Sequence, residues 1–214
     1  MSWIVGLSVW SSSADVTKSG AELIRMYAGH EAVAFVQFFF TEGLPAVTLG
    51  IVLVCLARYA LAANETLLGR TILAAGLAAA AISFTQFCLG AYLCLSLVPG
   101  NRADAAKAVF AVLNRIDGVK MLLMAVFALT GFRLIRNGKA RLPMWLAWTS
   151  LALAATIFLS GLGFLFLLDS LSPAAYASLP LLMLWVTAVG IVLARSGIRR
   201  AEALKDEAGL GTDR

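Results

Sequence analysis

From Thr71 to Leu97, and again from Pro143 to Leu168, the chain carries no aspartate, glutamate, lysine or arginine. A hydrocarbon core about 30 Å thick is crossed by about 20 apolar residues in helical form, so either stretch is long enough to span it. Where water is absent, the backbone must satisfy its own N–H and C=O groups, and a helix does so within one segment. Composition points the same way. The chain is 61% hydrophobic and 14% charged, with a mean hydropathy of +0.88, whereas a soluble domain is about 45–50% apolar and about 25% charged.

Three more apolar runs complete a set of five, from Leu44 to about Leu61, from Asp117-Gly118 to Leu134, and from Leu179 to Leu193. The expected fold is an all-α integral membrane bundle. It has five full transmembrane helices, a short or partial helix at the N-terminus, and an outer amphipathic helix. All of residues 1–214 form one domain. Met1 to Trp10 is apolar but short, and reads as a partial first helix; cleavage after Ala14 is the alternative. Between Asp15 and Glu31, Leu23, Ile24 and Tyr27 recur at helical spacing among charges, as in an interfacial helix. Ala32 to Phe40 is too short to span alone. Gly43 and Pro45 predict a bend or break before the first full span, with Thr41 as its N-cap. Residues 15–43 thus read as an outer amphipathic or re-entrant segment. Ala105 to Leu113 reads as a separate short helix, Pro180 as a first-turn proline, and 195–214 as a cytoplasmic tail.

Basic residues favour the cytoplasmic side. Segments 58–70, 133–141 and 195–214 hold 2, 4 and 5 lysines and arginines, eleven together, and the remaining six of the 17 lie elsewhere. The C-terminus is therefore expected inside. The net charge of +5 is accounted for by these helix ends, which leaves no basic face for nucleic acid. Asn64-Glu65-Thr66 would be a glycosylation acceptor, but this orientation puts it inside.

His30-Glu31-Ala32, Phe39-Phe40-Thr41-Glu42-Gly43-Leu44-Pro45, Asn114-Arg115-Ile116-Asp117-Gly118-Val119-Lys120 and Leu142-Pro143-Met144-Trp145-Leu146 occur together in this chain. With these pieces it resembles an uncharacterised group of bacterial multi-pass membrane proteins common in high-GC genomes. The resemblance implies the bundle fold and a bacterial inner membrane. It also implies a full first transmembrane helix in other members, and no known activity.

A charged group near the bilayer centre costs about 2.5–3.5 kcal/mol, so those that persist are paired, hydrated or useful. Glu42 is either a helix-terminal carboxylate facing the positive dipole end or an outer-leaflet group that binds a cation or relays protons. His30 is either an interfacial hydrogen-bonding residue or a pH-sensitive group. It shares a face with Gln37, and Glu31 shares one with Glu42, if the helix is unbroken. Asp117 and Lys120 are spaced to pair, with Asn114 on the same row. Alternatively Lys120 faces the bundle with Glu42 as its partner. Gln86, with Ser83 and Gly90 near its face, is interhelical glue or a pocket-lining amide. Thr149, Thr156, Ser160 and Gly163 form a small-residue packing stripe.

No HExxH or GxSxG occurs, and Cys55, Cys88 and Cys94 lack metal-site spacing. No cofactor or metal is therefore expected, and catalysis is disfavoured. The expected function is an outward-facing polar pocket of Glu42, Gln86, Asp117 and Lys120, with His30 and Glu31 at its mouth. Such a pocket would bind a small ligand, a lipid headgroup or an ion. The alternative is a non-catalytic subunit or regulator within a larger membrane complex. Expected partners are membrane lipids, and a second copy of the chain or another membrane protein.

Overall fold

The computed structural model describes residues 2–10, 18–137, 142–168, 170–171 and 173–209. Among them every regular element is helical. Two short helices, α1 (Ser2–Val9) and α2 (Gly20–Tyr27), precede five long ones. These are α3 (Glu31–Ala62), α4 (Thr66–Leu97), α5 (Ala103–Arg136), α6 (Met144–Phe166) and α7 (Ala174–Gly209). Each long helix is long and apolar enough to cross a membrane, the apolar part of α7 ending at Val192. The fold is therefore the expected all-α bundle with five such helices. Ala14, the basic-loop residues Lys139 and Arg141, Asp169 and the tail residues 210–214 lie outside the described residues.

Four sequence expectations need correcting. The first concerns the break at residues 41–45. Helix α3 runs through it, accommodating Pro45 by a π turn at Phe39–Gly43 in which the Leu44 N–H bonds the Phe39 carbonyl, five residues back. Proline lacks an N–H and collides with the carbonyl four residues before it, and a wider turn moves that carbonyl aside. The same device ends α4, where the N–H of Val98, just before Pro99, bonds the Leu93 carbonyl at 3.0 Å. Thr41 is consequently no N-cap, and its hydroxyl donates back to the Gln37 carbonyl at 3.0 Å.

Second, Ala105–Leu113 is not a separate helix but the first part of α5. Third, Pro180 lies inside α7, beyond its first turn. Fourth, the apolar face of α2 packs on protein. Leu23, Ile24 and Tyr27 are buried with Leu93, Cys94, Leu97 and Phe110 from α4 and α5. Burial pushes the Tyr27 hydroxyl above the ordinary tyrosine range. A capping box starts this helix: the Ser19 N–H donates to Glu22 Oε2 at 2.8 Å, and the Ser19 hydroxyl accepts from the Glu22 N–H at 3.3 Å. Hydrogen bonds from the Ser19 side chain and backbone hold the Glu22 carboxyl below its usual range.

The main core is shared by all five long helices, around Leu53 and Leu56 of α3, Ile72 of α4, Phe127 of α5, Leu146 of α6 and Trp185 of α7. Trp185 meets Phe127 edge-to-face at 5.1 Å and donates its indole N–H to the Leu146 carbonyl at 3.3 Å. Small residues set the closest crossings. A Cβ on Gly76 would meet Leu53, and one on Gly118 would meet the α6 backbone at Leu165 and Gly161. Ser160 and Gly163 of the small-residue stripe are buried, whereas Thr149 and Thr156 are half-buried and bond their own helix. Helix α1 packs beside the π turn of α3, where Gln37 donates its amide to the Trp10 carbonyl at 3.1 Å.

Candidate functional site

Three helices bring Glu42, Gln86, Asp117 and Lys120 together. Glu42 comes from the π turn of α3, and Gln86 from α4. Asp117 and Lys120 come from the middle of α5, one helical turn apart. The Lys120 ammonium donates to Glu42 Oε2 and to Gln86 Oε1, each at 2.7 Å, and pairs with Asp117 Oδ1 at 2.7 Å. Gln86 turns its Nε2 to Asp117 Oδ1 at 3.0 Å and to the Leu113 carbonyl at 3.3 Å. Its amide thus bridges cation and carboxylate, its oxygen on Lys120 and its nitrogen on Asp117.

An ammonium has three donors. All three are occupied here, so Lys120 has none left for an incoming anion. Charge counting gives two carboxylates to one ammonium, a net excess of one negative charge when all are ionised. The side chains of Glu42 and Asp117 are 15% and 17% exposed, against 7% for Lys120. Lys120 is therefore the least exposed of the three charged side chains. The buried Ser83 hydroxyl, one turn before Gln86, lies close to the Glu42 carboxylate but forms no hydrogen bond of ordinary geometry.

The two mouth residues do not join the cluster. His30 precedes α3, exposed, with its ring stacked on Trp10 at 6.1 Å and its Nδ1 3.2 Å from the Ala28 carbonyl. Glu31 opens α3, half-buried. Eleven residues separate it from Glu42, about 16 Å of helix at 1.5 Å per residue. Asn114 also stays apart, donating to the Phe110 carbonyl of its own helix at 2.8 Å. Among the described residues no group of three histidine, cysteine or acidic side chains is arranged to hold a metal ion.

A second feature lies at the C-terminal end of α5 and escaped the sequence reading. Phe132, Arg136, Met144 and Trp148 line a concavity of about 190 Å³ between α5 and α6. The available signal was Phe132 and Arg136 at i, i+4, opposite the tryptophans that open α6. No protein-family model matches the chain, and neither a curated protein nor a solved structure resembles it.

Proposed function

We propose that this integral membrane protein binds a small cation at an outward-facing polar site made of Glu42, Gln86, Asp117 and Lys120, and that the cation is the proton. The supporting observation is the charge count around Lys120, where one saturated ammonium stands between two carboxylates. A lipid phosphate or other anion would have to displace a carboxylate from Lys120. A metal cation would stand beside an ammonium. A proton needs no room and removes the excess negative charge, which is costly in a low-dielectric setting. The π turn that carries Glu42 belongs to a class of helix irregularity frequent at functional sites. His30 and Glu31 are left out of this site. The proposed setting is a bacterial inner membrane with the C-terminus in the cytoplasm, which rests on the sequence resemblance and the distribution of basic residues.

The alternative is a non-catalytic subunit or regulator of a larger membrane complex. It is favoured by the same closure, since a cluster that satisfies itself can act purely as an interhelical staple. Infrared pH titration of the protein in liposomes separates the two. The expected result is a carboxylic-acid C=O band that appears on acidification, and that Glu42→Gln or Asp117→Asn removes. A wild-type spectrum with no band sensitive to either substitution would leave the staple and sink the proton site.

A further inference from the structure

We infer that the concavity between α5 and α6 is a binding site for one anionic phospholipid, with an acyl chain in the concavity and the phosphate on Arg136. This depends on the membrane-spanning reading of the helices, and not on the proton site. Three observations carry it. The lining is three apolar side chains, Phe132, Met144 and Trp148, and one cation. The volume, about 190 Å³, falls below the roughly 300 Å³ at which small-molecule pockets begin, but an extended hydrocarbon chain lies in such a shallow recess without being enclosed. Finally, Arg136 makes no ion pair among the described residues. Its guanidinium sits over the Phe132 ring at 5.8 Å, a cation–π contact, and the residue is exposed.

Position favours the same occupant. Met144, Trp145 and Trp148 are 56%, 50% and 63% exposed on the first turns of α6, and Phe132 and Trp148 approach to 6.3 Å across the two helices. Amphipathic rings of this kind sit at headgroup level. Arg133, exposed and one turn before Arg136, adds a second positive charge on the last turns of α5. A phosphodiester at that level complements both arginines, and a guanidinium offers it paired donors. A zwitterionic lipid brings its own ammonium into the same positive field and gains less.

The experiment is native mass spectrometry of the full chain, purified in detergent and offered equal amounts of phosphatidylglycerol and phosphatidylcholine with identical acyl chains. The wild type is expected to retain phosphatidylglycerol preferentially. Each juxtamembrane basic residue contributes about one kcal/mol to anionic-lipid attraction, or about a fivefold change. Arg136→Gln should therefore lower phosphatidylglycerol retention about fivefold. Trp148→Ala should lower retention of both lipids, and Arg70→Gln, an exposed arginine near the start of α4, should change neither. These side chains lie at the surface, so the variants should fold. The inference is overturned by equal retention of the two lipids in the wild type, or by unchanged retention in Arg136→Gln. An equal fall in Arg70→Gln, which would mean general surface charge, also overturns it. So does full displacement of the lipid by inorganic phosphate, which would mean an anion site without an acyl chain.

Discussion

Lys120 sits near the middle of a helix apolar enough to span a membrane, and all of its donors end on Glu42, Gln86 and Asp117. Removing one partner of a buried ion pair typically costs about 3–5 kcal/mol, because the remaining charge is left uncompensated, whereas removing all the charges together is often close to neutral. Lys120→Met should therefore destabilise the protein by about that amount. Adding Glu42→Gln and Asp117→Asn to it should recover most of the loss. Denaturant unfolding in mixed micelles, followed by tryptophan fluorescence, measures both. A Lys120→Met protein that unfolds at the wild-type midpoint would deny the cluster any structural weight. These four residues were legible in the sequence because an ionisable or amide group within an apolar run must be excused by a neighbour. Asp117 and Lys120 announced their pairing by spacing. The share taken by Gln86, bridging both, depended on the rotation of α4 about its axis, which the nearly uniform apolar sequence around it does not encode. His30 and Glu31 make no contact with the cluster: a shared helix face brings Glu31 and Glu42 into line, but eleven residues of rise keep them apart.

Two prolines, Pro45 and Pro99, each follow a π turn, and at neither does a wider turn leave a signature in the sequence. Gly43-Leu44-Pro45 reads equally well as a helix end, which is why the first span was expected to start near Leu44 rather than at Glu31. The start of α5 was hidden differently. Charged and apolar residues from Ala105 to Leu113 fit a short amphipathic helix. The element that buries its apolar face, α2, lies far away in sequence. Glycines in long helices are likewise ambiguous until packing is known, and two of them give a direct contrast. At Gly118 an added Cβ meets the backbone nitrogen of Leu165 and stands 2.7 Å from the Gly161 carbonyl oxygen, with no flexible side chain to yield. At Gly190 it meets nothing within 4 Å. Overpacking a tight contact costs about 1–3 kcal/mol, while glycine to alanine in a helix gains up to about 1 kcal/mol. Gly118→Ala should lower the unfolding midpoint, and Gly190→Ala should leave it unchanged or raise it. Equal midpoints for the two would mean that α5 and α6 do not cross at Gly118.

Across the whole molecule, crossing of the five apolar helices in alternating directions would put the α3–α4 turn, the α5–α6 loop and the end of α7 on one side. Those are the segments that hold eleven of the 17 lysines and arginines. The lipid site inferred at Arg136 would lie on that basic side, and Glu42 sits in the N-terminal half of α3. The molecule would thus separate its two polar features by leaflet, with carboxylates facing outward and guanidinium groups facing the anionic cytoplasmic surface, where such lipids attract basic side chains. This arrangement holds only if the basic side is inside. With Cys55, Cys88 and Cys94 replaced by alanine or serine, single cysteines at Asn101 and Asn137, both exposed in turns next to α5, report it. A membrane-impermeant maleimide added to intact cells should label the cysteine at 101 and spare the one at 137, with both labelled after lysis. Labelling at 137 from outside would invert the bundle. It would leave the geometry around Lys120 untouched, but the carboxylate site would then open to the cytoplasm.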